Sequence, residues 1–286
     1  MRYATPRDWL DAPEKRITLF GMSGLGKTHL ARLLRGASWF HYSIDYRIGT
    51  GHLGGTIGDW LKREAMAVPA LAHLLRTDGV DVSPNLSFEN LSALSAWLGK
   101  PGDPAKGGLP VEEYARRQAV HRDAERAAYA ETARFIERAR DLYGYPHFVC
   151  DTSGSLCEVC DPEDPDDPVL SDLAARTLPV WLRGDDDHAD TLIARFDRDP
   201  KPIYYRPEDL ARLWDGYRAD HPGPVDPDAF ARHAYASVIA ARQPRYAAIA
   251  RRWGVAIPAA EVATARDAAD VTALVAEALA GDRPGA

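Results

Sequence analysis

The chain has 286 residues, 45% of them apolar, with a formal net charge of −7 and a pI near 5.7. That length suits one large α/β domain or a core with an insertion, and an acidic balance without any Lys/Arg-rich run argues against nucleic acid as the main partner. The opening MRYATPRDWLDAPEKR lacks the apolar segment of a secretory signal, no apolar run approaches membrane-spanning length, and three cysteines suit a reducing compartment, so the expectation is a cytoplasmic protein without membrane contact.

Residues 17–34 read ITLFGMSGLGKTHLARLL. A short apolar strand at 17–20 runs into Gly21, Gly24, Gly26, Lys27 and Thr28, the G-x-x-x-x-G-K-[ST] spacing, and Leu30, Leu33 and Leu34 then recur at helical period. Glycines let backbone N–H groups point inward at a phosphate, and the helix that follows adds its positive dipole end. Nucleotide contacts are therefore expected from Gly21, Ser23, Gly24, Leu25, Gly26, Lys27, Thr28 and His29. Lys27 should reach the β- and γ-phosphates, and the Thr28 hydroxyl should hold Mg²⁺.

Further along, 39–45 (WFHYSID) predicts a second strand ending at Asp45. Residues 50–110 read as short helices at 58–67, 70–76 and 88–98 followed by the turn-rich KPGDPAKGGLP. One long helix is predicted over 111–142, then a buried strand at 147–150 ending at Asp151. Cys150, Cys157 and Cys160 lack a local fourth zinc ligand and read as incidental thiols. The acidic, Pro-rich 158–168 reads as a solvated loop. A fourth strand at 178–182, helices at 186–198, 207–219 and 226–252, a last strand at 254–257 and a helix at 266–280 complete the pattern. Strands alternating with helices predict an α/β fold with a parallel five-stranded sheet flanked by helices. Residues 50–110 are a mainly helical insertion, and 1–49 with 111–286 form the core.

Two carboxylates stand out. Asp45, at a strand's C-terminal end, is the candidate to orient or deprotonate an acceptor hydroxyl, with a helix cap or surface aspartate as the plain alternative. Asp151 sits where a second acid beside Mg²⁺ would, or else makes a local turn with Thr152 or Ser153. Arg47 belongs to the same strand end, while His41 and His52 read as structural.

Several spaced motifs resemble the shikimate kinases, within the nucleoside-monophosphate-kinase-like P-loop proteins. VWLRGDDDHADTLIARFDRDPKPIYY (180–205) resembles that family's strand, helix and lid, and RQPRYAAIARRWGVAI (242–257) its R-x-P-L-Y stretch. The resemblance implies a P-loop kinase core with a lid near 185–205. It places Arg195 at the adenine-stacking position, Lys201 at the lid cation's position with Arg198 as an alternative, and Arg242 where a substrate carboxylate is gripped. YSIDYRIG resembles the family's D-x-D-x-x-I, with Asp45 matching the second Asp and Ser43 replacing the first. DTSGS (151–155) stands for a Gly-Gly-Gly of which Gly154 survives. The family's F-R-x-x-E matches either 121–125, with Arg122, or 134–137, with Arg134.

Together these readings imply an ATP- and Mg²⁺-dependent kinase acting on a hydroxyl of a small, anionic metabolite. Lys27, Asp45 and Lys201 would be catalytic; Asp45, Arg47, Arg122, Gly154 and Arg242 would bind substrate; Thr28 and Asp151 would hold the metal. The alternative is a P-loop ATPase acting as a nucleotide-dependent switch, with 50–110 binding a protein partner.

Overall fold

The computed structural model describes residues 3–184, 186–198 and 203–281. Five strands, β1 (Arg16–Phe20), β2 (Trp39–Ser43), β3 (His147–Asp151), β4 (Leu178–Arg183) and β5 (Val255–Pro258), form one parallel sheet in the order β2-β3-β1-β4-β5. The strands read as continuous apolar runs because helices cover both faces. Ile17, Leu19, Phe20, Phe148, Val149, Val180 and Leu182 are all buried.

β1 and β3 are neighbours, yet the chain leaves β1 toward β2 on one side and β3 toward β4 on the other. Such a reversal opens a crevice at the carboxyl ends of the strands, where α/β proteins bind ligands. The phosphate loop follows β1 and Asp151 ends β3, so both face that crevice.

Two predicted elements differ. β2 stops at Ser43, and the Ser43 hydroxyl accepts the Tyr46 N–H, capping a one-turn helix, Ile44–Arg47, that carries Asp45. Serine at that position ends the strand by offering the next turn an acceptor. The long helix is two helices, Val111–Ala130 and Thr132–Asp141, joined at Glu131. The other predicted elements appear in the predicted order, with boundaries moved by a few residues, and the helices Pro6–Leu10, Leu156–Val159, Pro168–Arg176 and Ala259–Val262 were not predicted.

Within 50–110, a π-helical turn (Ile48–His52) leads to helices Gly54–Met66, Pro69–Arg76 and Ser92–Leu98. Leu53, Ile57, Leu94, Trp97 and Leu98 are buried in the same apolar cluster as the sheet. A second cluster joins Tyr114, Tyr205, Leu210, Trp214 and Phe230 on the far side of the long helix. Of the acidic segment 158–168, Asp161, residues 163–166 and Pro168 are exposed as predicted, but residues 158–160, Pro162 and Asp167 are buried. Asp167 caps the helix Pro168–Arg176 by accepting the Val169 and Leu170 N–H groups. All three cysteines are free and buried, and burial pushes their thiols up, Cys157 to about 12, which leaves them inert.

Candidate functional site

The phosphate loop owes its shape to its glycines. Gly21 has φ +133°, and a Cβ there would lie 2.6 Å from the Leu182 carbonyl oxygen. Gly24 has φ +87°, and a Cβ would meet Leu192 at 2.9 Å, so a side chain at either position would reshape the loop. The helix Lys27–Arg35 then starts with no side-chain cap, leaving its first N–H groups aimed into the crevice. Lys27 is buried; its ammonium donates to the carbonyls of Gly21 (2.9 Å) and Met22 (3.0 Å). Burial lowers its pKa, and the Asp151 and Asp45 charges oppose that shift. An amine held on its own loop is placed to exchange those carbonyls for phosphate oxygens.

A cavity of about 280 Å³ opens beside this loop, lined by Ser23, Lys27, Thr28, His41, Asp45 and Asp151 among others. Here the Thr28 hydroxyl donates to Asp151 Oδ2 at 3.0 Å. A hydroxyl and a carboxylate beside a phosphate cradle form the oxygen donor set a divalent cation takes. His41, buried in the same wall, has no hydrogen-bond partner on either ring nitrogen, an orphaned polar group that also fits an absent occupant. The residues present therefore fit Mg²⁺ or a similar ion held jointly with nucleotide phosphates. Among the described residues no group of three His, Cys, Asp or Glu side chains is gathered, so the protein alone offers an incomplete shell.

A larger cavity of about 440 Å³ adjoins the first and shares Ser23, Gly24, Asp45, Leu91 and Gly154 with it. One wall is apolar: Leu94 and Leu98 come from the helix Ser92–Leu98, with Phe196, Ile203, Tyr204 and Tyr235 from the second half of the chain. The other wall carries His121, Ser153, Ser155 and Arg242. Asp45 therefore stands between the two spaces. Burial and then the Asp151 charge push its pKa up to about 6, against the pull of Lys27. A carboxylate poised there is ionised at neutral pH yet basic enough to accept a hydroxyl proton.

Behind the larger cavity lies a buried acid that sequence reasoning left inside an ambiguous motif. Glu125, on the helix Val111–Ala130, accepts from the Ser155 hydroxyl at 2.7 Å and the Tyr129 hydroxyl at 3.3 Å. Burial pushes its pKa up to about 7, opposed by Ser155. His121, one helical turn earlier, is held near a pKa of about 4 by burial and is neutral. The alternative match at 134–137 falls on the surface, where Arg134 and Glu137 are exposed.

The predicted acceptor arginines fare differently. Arg242 reaches the larger cavity, but its guanidinium donates to Glu158 Oε1 (2.8 Å), the Gly154 carbonyl (2.8 Å) and the Tyr204 carbonyl (2.7 Å). Three of its five N–H donors are thus engaged in holding the cavity wall. Glu158 also pairs with Arg206 and Arg245, which makes this one acid of the supposedly solvated loop the anchor of three arginines. Arg47 is not among the lining residues. Its guanidinium forks onto Glu131, with Nη2 2.9 Å from Oε1, and lies over the Phe135 ring. Arg122 lines neither cavity and bonds its neighbour Asp123 at 3.3 Å.

On the nucleotide side, His29 lines the smaller cavity, whereas the Leu25 side chain is buried in the core, leaving only its backbone to offer. Arg195 reaches the larger cavity, with Nη1 3.3 Å from where a Gly24 Cβ would stand, over the phosphate loop. Arg198 donates to the Ala194 carbonyl within its own helix. Lys201 and the lid residues 199–202 lie outside the described residues.

No family model matches the sequence, and no curated protein matches it. Among solved structures the chain is similar to a shikimate kinase from Bacteroides thetaiotaomicron, at 16% identity and a TM-score of 0.38, with 92% of this chain and 95% of that chain covered. A likeness at that level says nothing of substrate or activity.

Proposed function

We propose that the protein is a P-loop phosphotransferase that moves the γ-phosphate of ATP to a hydroxyl of a small metabolite. The observation that carries this reading is Asp45 at the junction of the phosphate-loop cavity and the larger, mixed apolar and polar cavity. Phosphoryl transfer needs an acceptor hydroxyl in line with the γ-phosphate, and a carboxylate between the two spaces is placed to orient it. Lys27 and the free N–H groups of its helix would bind phosphate oxygens, with Thr28 and Asp151 holding the cation. A bound Mg²⁺ would supply charge neutralisation on the transferring phosphoryl group.

The anionic character expected of the acceptor rests on Arg242, which faces the larger cavity with two N–H donors beyond its three wall bonds. The apolar wall would hold the body of the same molecule and help exclude water.

ADP release in the presence of cell extract separates this reading from a switch. We expect a dialysable small-molecule fraction to stimulate turnover strongly, and Lys27→Ala to lose both that turnover and at least about a hundredfold in ATP affinity, since several charge-assisted bonds vanish at about 1.5–3 kcal/mol each. Stimulation by a macromolecular fraction alone would favour the nucleotide-dependent switch. That reading draws on Val68, Leu71 and Leu74, exposed along and just before the helix Pro69–Arg76.

A further inference from the structure

We propose that His41 is a nitrogen ligand of the divalent cation bound with the nucleotide, alongside Asp151 and Thr28. The inference rests on the nucleotide-binding reading above and adds a residue and a metal preference to it.

His41 lies on β2, and its side chain is only 2% exposed. Both ring nitrogens are buried without a hydrogen-bond partner. An imidazole so placed loses its water on both nitrogens and gains no hydrogen bond in return. Native proteins rarely leave such a group without a bound partner that completes it. What adjoins this ring is the phosphate-loop cavity, whose wall includes His41, Thr28 and Asp151.

The geometry is specific. Phe88 stacks on the imidazole with centroids 4.7 Å apart and planes 19° apart, fixing the ring. In that orientation Nε2 is 3.6 Å from Asp151 Oδ2, the oxygen that accepts the Thr28 hydroxyl at 3.0 Å. A separation of 3.6 Å is too long for a hydrogen bond. It is close to the roughly 3–3.5 Å between two ligands of one ion, each about 2.1 Å from it.

The strand pattern explains how an imidazole came to face this carboxylate. Residues two apart on a strand share a face. Ser43 pairs with Asp151 in the register of β2 and β3, and His41 lies two residues before it on the same face. The Ser43 hydroxyl already accepts the Tyr46 N–H, whereas both ring nitrogens of His41, on the same face of β2, have no hydrogen-bond partner.

Two consequences follow from ligand chemistry. Asp151, Thr28 and His41 make three donors at most, so tight binding should require phosphate oxygens from the nucleotide. A nitrogen in the shell favours Mn²⁺ over Mg²⁺, which prefers oxygen and lies outside the transition series.

The test is pulsed electron paramagnetic resonance of Mn²⁺ added to the full chain with ADP. In the wild type we expect modulation from an imidazole ¹⁴N, together with at least about tenfold preference for Mn²⁺ over Mg²⁺ in competition. His41→Phe keeps the ring stack on Phe88, and His41→Gln keeps a buried polar group; both should lose the nitrogen signal. A Mn²⁺–ADP complex in the wild type with no nitrogen coupling overturns the inference while leaving the nucleotide reading intact. Nitrogen coupling that survives in His41→Phe also overturns it, pointing to His29, the other histidine of that cavity wall. Failure of the wild type to bind Mn²⁺–ADP at all would overturn the nucleotide reading and this inference with it.

Discussion

Asp45 shows how a buried carboxylate weighs on the fold around it. Burial and the Asp151 charge make it harder to ionise in the folded protein, with a pKa of about 6 against the usual 3.8. Between those values the folded state keeps a proton that the unfolded chain has released. Stability therefore falls as pH rises through this window and stays lower above it. Asp45→Asn has no such proton to lose, so its Tm should exceed that of the wild type at pH 8 and converge with it near pH 4. The same substitution should remove phosphoryl transfer while leaving ATP affinity nearly intact. In the wild type, kcat/KM should fall as pH drops through about 6, as the base becomes protonated. A transfer rate near that of the wild type in Asp45→Asn, measured apart from nucleotide affinity, would reduce Asp45 to a structural acid.

Arg242 belongs to the same scale, with three bonds in the cavity wall and a place in the lining of the larger cavity. Its bonds to Glu158, Gly154 and Tyr204 mean that Arg242→Ala leaves a buried carboxylate short of a partner. Glu158 keeps Arg206 and Arg245, so the loss is that of charged hydrogen bonds, about 1.5–3 kcal/mol, which denaturant titration will read. If the remaining N–H groups also grip the acceptor, the acceptor KM should rise at least about tenfold with the ATP KM little changed, and Arg242→Lys should recover only part of it, because the fork is lost. Lost stability with unchanged acceptor kinetics would make Arg242 a wall residue and remove the case for an anionic acceptor.

At the scale of elements, legibility followed locality. The strand, glycine turn and helix around Lys27 could be read because they are contiguous, and each is dictated by its neighbours. The end of β2 could not, since Ser43 serves as well within a strand as at a helix cap, and only the turn that follows decides. The break at Glu131 had no sequence signature either. It is fixed from outside by Arg47, which forks onto Glu131, and by His52 at 3.3 Å, contacts between residues about eighty apart in sequence. These ties lock the turn after β2, and hence Asp45, to the junction of two helices. Arg47→Ala is accordingly expected to lower stability by about 1–2 kcal/mol, the worth of a charged hydrogen-bonded pair that is only partly buried, without raising the acceptor KM. An increased KM with unchanged stability would return Arg47 to the acceptor clamp that its sequence position suggested. Glu158 and His41 stayed hidden for the same reason: partners that give them meaning come from distant segments.

For the whole molecule, the helix Ser92–Leu98 from the 50–110 region supplies one wall of the larger cavity. Leu94 and Leu98 are buried in the same apolar cluster as the sheet, and the same short helix lines the larger cavity. The region is thus integral to the core, and heat or denaturant should unfold the chain in one transition, with 50–110 showing no separate step. Its Ser95 offers a sharper test, because this partly exposed residue lines only the larger of the two cavities. A Ser95→Trp side chain would project into that space from a helix position that tolerates it, with no core contact removed. Displacing an acceptor's apolar body from the wall forfeits roughly 25 cal/mol for each Å² it would have buried, so a loss of about 100 Å² weakens binding by about 2.5 kcal/mol, nearly a hundredfold. The expected result is an acceptor KM raised to that extent beside an ATP affinity close to that of the wild type, measured by titration of each ligand separately. Equal losses for both ligands would show that the two cavities act as a single nucleotide pocket, with no separate place for an acceptor.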